Sequence, residues 1–87
     1  MKGFVVYILR TSGNTLYTGQ TNDLEKRLEQ HRKGKVGAKY LRMFTSFKLV
    51  YSEKVASLSE ALKRESEVKR MSKSAKEDLV KLANDKN

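Results

Sequence analysis

The chain has no cysteine, no proline and only one histidine. Without cysteine there is neither a disulfide framework nor a thiolate set for zinc, and one histidine cannot build a structural zinc site alone. Any metal bound here is expected to be hard and held by oxygen. Long apolar runs are also missing. The longest, Phe4 to Leu9, falls far short of the ~20 residues that span a bilayer, and Arg10 ends it before it could act as a signal core. A soluble, cytoplasmic protein is the expectation. There is no internal repeat and no low-complexity linker, and 87 residues with 38% hydrophobic content suit one modest core. We expect a single domain over residues 1–87, with residues 84–87 as a frayed tail.

Acidic residues are the other scarcity. Ten Asp and Glu stand against nineteen Lys and Arg, giving a net charge of +9. A field of that size points to a polyanion, and nucleic acid ranks ahead of a merely solvated lysine-rich surface. A membrane ranks lower, because no basic amphipathic stretch also exposes large apolar residues.

What the chain does contain reads as six elements in the order β-β-α-β-α-α, an α+β arrangement. Phe4 to Leu9 suits a central strand covered on both faces. After the turn-forming Ser12-Gly13-Asn14, residues 15–18 resume β-favouring side chains, so the pair forms an antiparallel hairpin ended by Gly19. Asn22 or Asp23 caps an amphipathic helix with Leu24, Arg27, Leu28 and His31 on one side. Residues 32–42, rich in glycine and basic side chains, form a loop, with room for one helical turn near residues 38–41. Phe47 to Glu53 alternates as a third strand. Ser57 and Glu60 form a capping box for a second helix with the stripe Leu58, Ala61, Leu62, Val68 and Met71. Ser74 and Glu77 repeat that signal for a last helix.

Three features carry chemistry. The hairpin holds two phenols, Tyr7 and Tyr17, where valine or phenylalanine would fill the same space without a hydroxyl to satisfy. The first helix directs Arg27 and His31 toward its apolar side. The second places Glu65 within its apolar stripe, where an ionised carboxylate requires a cation or several hydrogen bonds. A salt bridge to Arg27 or another basic side chain is the plainest account of Glu65. If the five groups share one pocket, they fit phosphodiester cleavage: Glu65 to hold one Mg²⁺ or Mn²⁺, Arg27 to neutralise charge on phosphorus oxygens, and a phenol to orient or deprotonate water.

These residues resemble the motifs of the GIY-YIG nuclease domain. VVYIL with Tyr7, LYTGQT with Tyr17 and Gly19, LEKRLEQH with Arg27 and His31, and EALKRESEVK with Glu65 follow in family order over almost the whole chain. The likeness is greatest to the small stand-alone bacterial branch of that superfamily. It implies a three-stranded antiparallel sheet flanked by about three helices, as in the catalytic module of the excision-repair incision nuclease and of some homing endonucleases. It also implies that Tyr7 and Tyr17 are the paired motif tyrosines, sharing the general-base role, and that Gly19 is the motif glycine. Arg27 then faces phosphate, Glu65 binds a divalent metal, and His31 assists as proton carrier or phosphate contact. The sequence departs from the pattern at Val5-Val6 and Thr18. The helix asparagine carried by many family nucleases has no counterpart in Met71-Ser72-Lys73-Ser74.

The functional expectation is a metal-dependent endonuclease or nicking nuclease on DNA, with RNA as a second possible polymer. Sequence specificity is expected to be low, since family members with defined targets carry a separate recognition domain. Arg32, Lys33, Lys35, Lys39 and Arg42 are the candidate phosphate contacts and Tyr40 the candidate stacking residue. The rival reading is a nucleic-acid-binding module with the same fold and weak or no catalysis. A third is an interaction protein within a larger repair or mobile-element complex, with a partner protein supplying the targeting.

Overall fold

The computed structural model describes residues 3–32 and 47–85. Its elements are β1 (Phe4–Thr11), β2 (Leu16–Thr21), α1 (Leu24–Arg32), β3 (Phe47–Val55), α2 (Leu58–Arg70) and α3 (Lys73–Asp85). The strands form one antiparallel sheet in the order β2-β1-β3. The expected α+β order is therefore the observed one, and β1 is the central strand. Its four consecutive residues Val6, Tyr7, Ile8 and Leu9 are all buried, which requires cover on both faces.

That cover is divided by parity. Tyr7 and Leu9 pack with Leu24 and Leu28 of α1. Ile8, on the opposite face, packs with Val68 of α2 and Val80 of α3. The sheet is thus sandwiched between α1 and the α2-α3 pair, and no helix among the described residues is long and apolar enough to cross a membrane.

Several boundaries differ from the sequence reading, each for a local reason. Gly19 does not end β2, which continues to Thr21 with Gly19 opposite Tyr7. The alternation read over residues 47–53 breaks at a bulge: Ile8 pairs with Tyr51 but Leu9 with Leu49, leaving Val50 as the extra residue. Phe47 consequently joins the Tyr7 cluster, while Val50 and Tyr51 join that of Ile8. The apolar stripe of α2 is narrower than expected. Ala61 and Val68 form its buried line, whereas Leu58 and Leu62 remain 47% and 48% exposed. α3 begins two residues earlier than the Ser74-Glu77 signal indicates. Ser72 accepts from the backbone N–H of Ala75 at 3.1 Å, and Glu77 is drawn instead to Arg10.

Other caps follow the sequence. The Asp23 carboxylate accepts from the Lys26 N–H at 3.2 Å, and Ser57 Oγ accepts from the Glu60 N–H at 3.2 Å. In the hairpin turn the strained position is taken by Asn14, at φ 61°, a conformation asparagine tolerates better than most side chains. The Arg10 guanidinium donates to Asn14 at 2.9 Å and, in bidentate fashion, to Glu77 at 2.8 and 2.6 Å. One side chain of the central strand thereby fastens both the turn and α3.

Candidate active site

The site begins with a cross-strand pair. Tyr7 on β1 lies opposite Gly19 on the edge strand β2, and its ring crosses the glycine backbone. A Cβ on Gly19 would stand 2.5 Å from Tyr7 Oη and 2.7 Å from Cζ. Only glycine leaves room for the phenol to reach toward the sheet edge.

At that position the phenol meets α1. Tyr7 Oη lies 3.0 Å from Nε2 of His31, a buried residue in the last turn of the helix. The imidazole is also ringed by aromatics edge-on: Tyr17 at 5.7 Å, Phe47 at 6.1 Å and Tyr7 at 6.3 Å between centroids. The Tyr7 hydroxyl donates to Nε2 of His31 when that nitrogen carries no proton and accepts from it when it does. Arg27, one turn earlier on the same helix face, lies near enough to the Tyr7 phenol to favour its ionised form.

These contacts set the acidity of the phenol. Burial pushes the Tyr7 pKa up to about 12; the nearby Tyr17 and Glu65 add to the rise, and Arg27 opposes it. Tyr7 is therefore a neutral hydroxyl at ordinary pH. The same interactions also locate the partners. Tyr17, Arg27 and Glu65 thus lie within electrostatic reach of the Tyr7 phenol although they come from β2, α1 and α2.

Glu65 belongs to α2, which covers the face opposite to α1 but packs along β2, the strand whose Gly19 the Tyr7 ring crosses. The Glu65 side chain is 20% exposed, with Lys69 Nζ 3.4 Å from its carboxylate. The described ion pair is thus with Lys69, one turn along α2, rather than with Arg27. Among the described residues no three His, Cys, Asp or Glu side chains cluster as a metal site.

The sequence-predicted residues fall into two groups. Tyr7, Tyr17 and His31 meet beside β2, with Gly19 as the seat of Tyr7, and Arg27 and Glu65 lie within electrostatic reach of the Tyr7 phenol. Arg32 lies exposed at the end of α1, paired to Glu29 at 3.3 Å; Lys33, Lys35, Lys39, Tyr40 and Arg42 lie outside the described residues. Phe47 was not anticipated as part of the site. Only the bulge in β3 turns it toward His31, and a bulge leaves no simple sequence signal. A separate concavity of about 520 Å³ lies at the other end of α1, lined partly by Asp23, Glu25 and Lys54. Its two carboxylates suit a phosphate poorly.

This sheet, with paired tyrosines, an arginine, a histidine and a glutamate gathered at one edge, defines a class of small nuclease-type catalytic domain. Residues 3–78 match the GIY-YIG catalytic domain, and the chain belongs to that family. It is 53% identical over 76 residues to a UPF0213 protein of Syntrophus aciditrophicus, covering 87% of each chain. It is 46% identical over 80 residues to the UPF0213 protein YhbQ of Escherichia coli K12, covering 92% of this chain and 79% of the other. Among solved structures it is similar to the UPF0213 protein BH0048 of Bacillus halodurans, with TM-score 0.60 and 42% identity over 92% of this chain and 84% of that one. EF2693 of E. faecalis is similar with TM-score 0.66 and 31% identity, over 97% and 88%.

Proposed function

We propose that the protein is a divalent-metal-dependent endonuclease that cleaves or nicks DNA with little sequence preference. The observation that carries this reading is the shared environment of one phenol: seated on Gly19, hydrogen-bonded to His31, and within the field of Arg27, Tyr17 and Glu65. A buried hydroxyl would need one partner for packing purposes. Here it bonds an imidazole and also has a cation and a carboxylate within its field, which is the equipment of phosphoryl transfer.

Each residue has a distinct task. Tyr7 is too buried and too weakly acidic to take a proton from water at neutral pH, so its task is to hold Arg27 and His31 in register. Tyr17, half-buried and edge-on to His31, is the phenol that meets substrate and orients the attacking water. Arg27 neutralises charge that develops on the non-bridging phosphate oxygens. His31, as the one group here whose ordinary pKa lies near neutrality, accepts or returns the proton. Glu65 fits a single hard cation: it is a largely buried carboxylate with only a long contact to an ammonium, and no further cluster of acids surrounds it in the described residues. Mg²⁺ or Mn²⁺ bound there would take a phosphate oxygen and lower the pKa of a bound water.

The test is nicking of supercoiled plasmid with Mg²⁺ or Mn²⁺. Wild type is expected to nick, and Glu65→Gln to lose about 100-fold or more of that rate while still binding DNA. Equal rates for the two proteins would overturn the reading. Binding by both with cleavage by neither would instead favour a nucleic-acid-binding module, to which the +9 charge is equally suited.

A further inference from the structure

α2 is charged unevenly about its axis. On one side of the buried Ala61–Val68 line stand Glu60 and Glu67, with Arg64 held to Glu53 at 2.8 Å and to Glu67 at 3.5 Å. The other side has a different composition. Leu58, Leu62, Glu65 and Lys69 succeed one another at i, i+4, i+7 and i+11, a single stripe along the helix. Further out, Arg70 donates to Ser66 Oγ at 2.9 Å. Apart from Glu65 itself this side carries no acid, and its two leucines are about half exposed.

We propose that this side of α2 receives an unpaired strand of nucleic acid. The inference rests on the nuclease reading above and gives its substrate class: single-stranded, flapped or gapped DNA in preference to uninterrupted duplex. Lys69 and Arg70 hold phosphates, and Leu58 and Leu62 cover the sugar and base of a nucleotide next to the one at Glu65. The physical reason lies in the leucines. A paired and stacked duplex offers a protein face mainly phosphates, against which two methyl-bearing side chains gain nothing. An unstacked nucleotide offers apolar sugar carbons and a free base face, the surfaces that leucine wedges and stacking platforms cover. Charge complementarity supplies the nucleic acid and the leucines supply the preference for an unpaired strand, since the stripe continues into two cations that attract any phosphate backbone.

The experiment measures binding and cleavage of one labelled DNA as duplex, as single strand and as a duplex with an unpaired flap, using the full chain. Wild type is expected to bind the unpaired forms about tenfold more tightly than the duplex. Leu58→Ser/Leu62→Ser should lose that preference and keep its duplex affinity, with circular dichroism and thermal melting confirming the fold. Leu58→Ala/Leu62→Ala, a milder change, should show the same loss. Lys69→Gln should weaken binding to all three DNAs. Equal wild-type affinity for the three DNAs overturns the proposal, as does a preference that survives in both leucine variants. So does a wild-type dimer that the leucine variants dissociate, since a second copy would then be the occupant. Binding is also read with Glu65→Gln, so the two ideas fail separately. Absence of cleavage with an intact strand preference removes only the nuclease reading, and cleavage without strand preference removes only this inference.

Discussion

At the scale of single residues, Tyr7 decides most. Its pKa is raised to about 12 from the ordinary value of 10.0, so the folded state favours the protonated phenol. The stabilisation this represents is complete below pH 10 and is lost as pH rises from 10 through about 12. In a spectrophotometric titration of the four tyrosines, one phenolate should appear late, and it should be missing from Tyr7→Phe. Tyr7→Phe should also flatten the extra loss of stability above pH 10. A wild-type protein whose tyrosines all titrate together near pH 10 would contradict the buried, cross-bonded phenol. Glu77 behaves in the opposite sense. Arg10 holds its carboxylate below the usual range, so the stabilisation is present above the ordinary glutamate pKa and fades as pH falls through the lowered one. Glu77→Gln should reduce Tm by a few degrees at neutral pH, a difference expected to shrink in acid.

At the scale of elements, the site depends on strand pairing more than on any helix. Gly19→Ala should displace the Tyr7 ring, costing about 1–3 kcal/mol by overpacking and removing most activity. In a Tyr7→Val background the same alanine should cost little, and a double-mutant cycle on urea midpoints measures the coupling. Additive effects would mean that the glycine serves β2 alone. This dependence also marks how far the sequence could be read. Helical spacing placed Arg27 beside His31, because both facts are local to one helix. The strand order followed from the continuously apolar Phe4–Leu9 run. The contact of Gly19 with Tyr7 depends on cross-strand register, and the turn of Phe47 toward His31 depends on the bulge at Val50. Neither is a property of a single segment. Glu65 was legible as an inward acid, but the exposure of Leu58 and Leu62 was not. Periodicity groups those leucines with Ala61 and Val68, and only the packed sheet shows that the buried line is narrower.

At the scale of the whole molecule, charge governs association. With a net charge of +9, phosphate contacts should release counterions, so DNA affinity is expected to fall steeply and log-linearly with salt. Fluorescence anisotropy across a salt series measures the slope, and a flat response would separate the basic surface from DNA binding. The two rims of the sheet also differ in fate. β2 is overlain by α2 and bears the site, whereas β3 is the opposite border of the sheet among the described residues, and its Lys48, Ser52 and Lys54 are all exposed. A second molecule approaching that border to extend the sheet would bring like ammonium charges together along its length. Those charges guard the border against sheet-to-sheet polymerisation, and concentrated solutions should resist fibril growth as long as the two lysines keep their charge.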